Sequence, residues 1–186
     1  MKSQLTRRLE YVDATRQERL AMADEILRQP EWFGPLLEIG LERQDYIGNR
    51  ACWVVEFVCK RKPERLHPFL EVFTGGLHAL SSESSIRPMA KICELLTEAY
   101  YNKDRSAPPL SLLQKERIVS VCFDWLIGPY KVAPKAYCMR SLYLLSADFP
   151  WVRDALREEL QLRYTSGSAG YQARARYLLK LLDKAR

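Results

Sequence analysis

The side chains in this chain that could do chemistry are few and widely spaced. The two histidines, His67 and His78, stand eleven residues apart, about three helical turns. They share a face only if a helix runs through Pro68 and the Gly75-Gly76 pair, and a metal site would need further ligands that do not stand nearby. They therefore read as two polar groups on a helix and its end, and the same want of partners speaks against a histidine-based hydrolytic triad. Carboxylates pair at Glu158-Glu159 and at Glu38 with Glu42, among basic residues, which is the pattern of a solvated helix face with i,i+4 pairing. Gly75-Gly76 lacks the pattern that would have to follow it in a phosphate loop. The five cysteines, Cys52, Cys59, Cys93, Cys122 and Cys138, have no C-x-x-C spacing and lie in apolar helical stretches. There they behave as small hydrophobes, reduced, with a cytoplasmic setting as the expectation. No catalytic residue, metal or cofactor is assigned.

Charge carries more information. The chain has 29 Lys and Arg against 23 Asp and Glu, a net charge of +6. The first fifty residues hold 8 basic and 9 acidic side chains, so the excess lies in the remainder. Arg176, Lys180 and Lys184 recur every four residues on what reads as the last helix, while Lys131 and Lys135 stand further upstream. Such a stripe is the solvated face of a terminal helix, or a docking surface for an acidic partner. These five residues are the candidate partner-binding set. The expected partner is another protein, with nucleic acid as the alternative. The Lys60-Arg61-Lys62 run falls at an inter-helix turn, where it complements a helix C-terminus.

The elements that position these groups are helical. Apolar residues recur with the 3.6-residue period at Leu20, Ala23, Ile26, Leu27; at Leu66, Phe69, Leu70, Phe73, Leu77; at Ile118, Val119, Cys122, Phe123, Leu126; and at Val152, Leu156, Leu160. No stretch shows strand alternation, and none approaches eighteen uninterrupted apolar residues, so no membrane span is predicted. The N-terminus has no apolar stretch of the secretory kind. Pro63, Pro88, Pro134 and Pro150 stand near helix starts. Ser84 or Ser85 and Asp148 are the predicted N-caps, and Gly75-Gly76, Gly128 and Gly167 the stops. Residues 101–109 read as an exposed loop, and residues 1–186 as one domain with a capping helix in 1–30.

An internal repeat organises the whole. Ala51, Ala90, Ala136 and Ala175 are 39, 46 and 39 residues apart. Trp53, Ile92, Cys138 and Tyr177 follow at +2, Val54, Cys93, Met139 and Leu178 at +3, and Phe57, Leu96, Leu142 and Leu181 at +6. A small residue followed by apolar ones at this spacing is a helix pressed against a neighbour. The pattern resembles HEAT-like helical repeats. That resemblance implies an all-α, right-handed α-α superhelix, an α-solenoid of about four hairpins, acting as a non-enzymatic protein-interaction module. Trp53, Trp125, Trp151 and Asp124, with the basic side chains at 131, 135, 140, 174, 176, 180 and 184, bear a distant resemblance to the HEAT-like alkylpurine DNA glycosylases. That would imply a nucleotide-holding groove, and is the alternative reading. Residues 84–91 loosely resemble the Ser-rich loop of the fumarase superfamily, but the residue order is wrong and an ordinary helix start accounts for them.

Overall fold

A computed structural model describes residues 1–103 and 107–184. Among them the chain is entirely helical, ten α-helices packed together without a strand. These are α1 (Lys2–Leu9), α2 (Arg16–Arg28), α3 (Phe33–Glu42), α4 (Tyr46–Arg61), α5 (Leu70–Gly76), α6 (Glu83–Tyr101), α7 (Leu112–Ile127), α8 (Val132–Leu145), α9 (Pro150–Leu162) and α10 (Ala169–Lys184). Short 3₁₀ turns at Pro30–Trp32, Pro63–Phe69 and Leu77–Ala79 join some of them. The helices fall into two rows. One row runs α2, α4, α6, α8, α10, each packed on the next; in the other, α1, α3, α5 and α7 pack in sequence. Contacts α3–α4 and α7–α8 join the rows, and α9 packs on α8 and α10. No helix of the described residues is long and apolar enough to cross a membrane.

Local chemistry accounts for most boundaries. Thr15, Asp45 and Ser111 cap α2, α4 and α7 by accepting the amides of Glu18, Gly48 and Gln114. Ser111 and Gln114 complete a reciprocal capping box. Pro150 opens α9 at its first position, where the missing N–H is one of the orphan donors. Two of the predicted caps differ. Ser82 caps α6, accepting from Ser84 N, and Phe149 occupies the cap position of α9. Asp148 is drawn away from capping by a stronger partner: it accepts from Lys115 Nζ at 2.5 Å and from the Tyr101 hydroxyl at 2.8 Å. Residues 1–30 form two helices, α1 and α2, rather than one, because Asp13, Ala14 and Thr15 turn the chain between them. In the 101–109 loop, residues 104–106 lie outside the described residues.

Four helices of the even row, α4, α6, α8 and α10, share an internal pattern. In α4 the buried residues Ile47, Ala51, Val54 and Val58 are spaced four, three and four apart. Ile86, Ala90, Cys93 and Thr97 of α6 repeat that spacing, as do Pro134, Cys138, Ser141 and Leu145 of α8, and Tyr171, Ala175, Leu178 and Leu182 of α10. Each set is one face of a helix. Three of the four alanine anchors thus seal into the core, but Ala136 is only partly buried. In α8 Cys138, two residues on, takes the small-residue position instead. Close approach between the rows also needs small groups. A Cβ on Gly40 would lie 3.1 Å from Cys52 Sγ, and that thiol donates to the Gly40 carbonyl at 3.2 Å. All five cysteines are buried and unpaired.

Candidate functional site

The even row carries buried and half-buried carboxylates that are already matched. Glu56, 1% exposed, meets Arg87 at 3.1 Å and also Lys60. Glu94, equally sealed, meets Lys91 at 2.5 Å and Arg174 at 3.7 Å, and Glu98 meets Arg140 at 3.1 Å. A buried carboxylate needs such partners, since desolvation alone would be costly. These cations are committed to the protein's own acids, so a phosphate backbone would have to compete for them.

The five residues of the candidate partner-binding set separate in space. Arg176, Lys180 and Lys184 are exposed along α10, and none has an ion pair among the described residues. Arg176 donates instead to the Tyr164 hydroxyl at 2.9 Å. Lys131 is exposed at the start of α8, with Glu83 at 3.9 Å. Lys135 is partly buried one turn further on, where burial and the neighbouring Arg163 charge lower its pKa while Glu159 opposes them. Lys131 and Lys135 both line a cavity of about 510 Å³.

Of the aromatic and acidic residues singled out in the sequence, Trp151 and Asp124 come together and the others part company. Trp125 is sealed inside α7, 2% exposed. Trp53 lies in the even row, its indole N–H donating to the Ser84 carbonyl at 2.8 Å. Asp124 is exposed on α7, with His78 Nδ1 at 3.4 Å. Among the described residues Asp124 shares a groove with Trp151, but not with Trp53, Trp125 or the basic residues of α8 and α10. His67 lies apart from His78, and no group of three or more His, Cys, Asp or Glu with metal-holding geometry occurs among the described residues. Glu38 and Glu42 both face Lys2, at 2.8 and 3.4 Å, and Glu159 pairs with Arg163.

What the structure does assemble is an aromatic groove between α7 and α9. Trp151, 59% exposed, stacks on Phe123 with ring centroids 5.8 Å apart and planes 21° from parallel. Phe149 and Val119 line the groove beside them, Glu116 and Asp124 stand at its edge, and the cavity measures about 440 Å³. Pro150 positions the tryptophan by starting α9 directly before it, while Val152, Leu156 and Leu160 bury the opposite face of the helix. An aromatic residue out of phase with its helix's buried stripe is the sequence signal for this groove. Its partner Phe123 carried no such signal, because it falls in the apolar period of α7. Exposed Leu112, Leu113 and Ile127 extend the apolar character along α7. With this geometry in hand, comparison brings no relative: no known family, no curated protein and no solved structure matches the chain.

Proposed function

We propose that this chain is a non-enzymatic protein-interaction module of the HEAT-like kind, an α-solenoid that holds a segment of a partner protein in the α7–α9 groove. The shared four-three-four burial pattern of α4, α6, α8 and α10 supports the repeat reading, since stacked equivalent hairpins bury one continuous core. A right-handed superhelix follows from the same reading by fold-level analogy. The unpaired cysteines suit the cytoplasm, where thiols stay reduced.

The observation that carries the binding reading is the exposed Trp151–Phe123 stack. Large aromatics presented rigidly in a groove are the side chains that dominate protein interfaces. The acidic edge at Glu116 and Asp124 selects the occupant. It fits a segment with an apolar or aromatic anchor flanked by Lys or Arg, rather than the acidic partner that overall charge suggested. Selection of random peptides displayed on phage tests this directly. Wild-type protein should enrich basic sequences with one apolar anchor, and Trp151→Ala should lose them while keeping its helical circular dichroism. Enrichment insensitive to that substitution would overturn the groove. Tight, salt-sensitive binding of duplex DNA would favour the nucleic-acid alternative instead.

A further inference from the structure

We infer that the α7–α9 groove takes an N-trimethylated lysine side chain of a partner protein, with the alkylammonium group lying over the Trp151–Phe123 stack. This rests on the reading of the groove as a partner-binding site, and names what fills it. Both walls are aromatic or apolar: Trp151 and Phe149 come from the start of α9, Phe123 and Val119 from α7. Glu116, Ser120 and Asp124 stand four residues apart along α7, on one face of the helix, and set two carboxylates beside the rings. The face of an aromatic ring is the negative part of its quadrupole, so rings and carboxylates both favour a cation.

The rest of the molecule shows what this surface is missing. Arg8 lies over the Trp32 ring at 5.5 Å from its centroid, Arg19 over Trp53 at 5.6 Å and Lys91 over Tyr137 at 5.0 Å. Among the described residues no Lys or Arg of the chain lies over Trp151 or Phe123 in this way. The cations nearest in sequence to Glu116 are engaged elsewhere, Lys115 with Asp148 and Arg117 with Glu71, each at 2.5 Å. Among the described residues Glu116 has no ion pair, and Asp124 meets only His78 Nδ1, at 3.4 Å.

The walls decide which cation fits. A bare ammonium is compact and strongly hydrated, and it carries N–H donors that rings and aliphatic walls cannot satisfy. Such a group would stay with the carboxylates at the edge. Trimethylation removes the donors, keeps the charge and adds apolar surface, so the group can leave water and lie against the indole. One side chain then supplies both the apolar anchor and the positive charge that the groove calls for. The cavity of about 440 Å³ lies in the range of small-ligand sites, with space for the methylene stem behind the head group.

Fluorescence-anisotropy titration of the full chain with labelled peptides tests this. The peptides share one sequence, with basic residues on both sides of a central position. That position carries N-trimethyllysine, lysine, arginine, or the neutral isostere in which carbon replaces the quaternary nitrogen. The trimethyllysine peptide should bind about tenfold more tightly than the isostere, the scale of a cation over an indole partly removed from water. It should also bind more tightly than the lysine and arginine peptides. Because the isostere keeps the shape and the apolar area, that difference reads the charge alone. Trp151→Ala should remove the preference, Trp151→Phe should retain part of it, and Glu116→Gln should narrow it, all with unchanged helical circular dichroism. An isostere bound as tightly as trimethyllysine, through Trp151, would overturn the cation while leaving the groove as the partner site. Tighter binding of the lysine or arginine peptide would overturn the methylation. Free choline that displaces the peptide at equal concentration would overturn the protein source, in favour of a small quaternary ammonium. A preference that survives Trp151→Ala, or no peptide binding by folded wild type, would overturn the assignment altogether, and the phage selection then judges the groove on its own.

Discussion

At the scale of single residues, Asp45 shows how much one side chain can do. Its carboxylate pairs with Arg43 and accepts the Gly48 amide, closing the first turn of α4. The Arg43 hydrogen bond comes first in holding this carboxyl at about 2, against the opposing effect of desolvation, and the Gly48 amide adds to it. Gly48 is part of the arrangement, since a Cβ there would run into the Arg43 carbonyl at 1.9 Å. Because the folded-state value is depressed, the stabilisation is fully present above the ordinary carboxylate pKa and is lost as pH falls through the folded one. Asp45→Ala should therefore cost about 1 kcal/mol near neutrality, the usual loss of an N-cap. The difference from wild type should narrow between about pH 4 and pH 2. Urea melts of both proteins at pH 7 and in acid check this. A difference that stays constant would mean that Asp45 acts through packing rather than charge.

At the scale of elements, Pro88 poses a problem that another helix solves. It is the sixth residue of α6, and its missing N–H leaves the Ser84 carbonyl without the usual i+4 donor. The Trp53 indole N–H fills that place from α4 at 2.8 Å, and Arg19 of α2 lies over the same indole at 5.6 Å from its centroid. Three successive helices of the even row are thus tied at one point. Trp53→Phe should cost about 1 kcal/mol in the native background, the scale of one hydrogen bond. The cost should shrink in a Pro88→Ala background, where residue 88 regains an amide for Ser84. A double-mutant cycle in denaturant would show the coupling as a few tenths to about 1 kcal/mol. Additive effects would show that the indole contributes packing alone.

At the scale of the molecule, the even row behaves as a spine of close helix contacts, and its anchors are not equal. Ala90 is fully buried on α6, which packs on α4 and α8. Ala90→Leu must push these neighbours apart and should cost about 1–3 kcal/mol. Ala136 is partly exposed because Cys138 takes the inward position on α8, so Ala136→Leu should stay within about 0.5 kcal/mol of wild type. Thermal melts of the two variants rank them, and a larger loss at Ala136 would mean that α8 is rotated from the orientation described.

The helical class, the approximate extent of most helices and a periodic burial along the chain are legible in the residues alone. These follow from interactions within a few residues: apolar period, caps, prolines and glycines. The same local information misplaced the caps of α6 and α9. Asp148 was diverted by Lys115, thirty-three residues away, which no short window contains. It also kept Ala136 in register with Ala90, although in α8 it is Cys138 that faces inward. The candidate site lay further still from the sequence. Trp151 carries a signal of its own, out of phase with Val152 and Leu156, but its stacking on Phe123 exists only once α9 packs against the rest of the chain. Local patterns state which faces are buried, and only the packing of helix on helix decides which side chains from distant segments share a cavity.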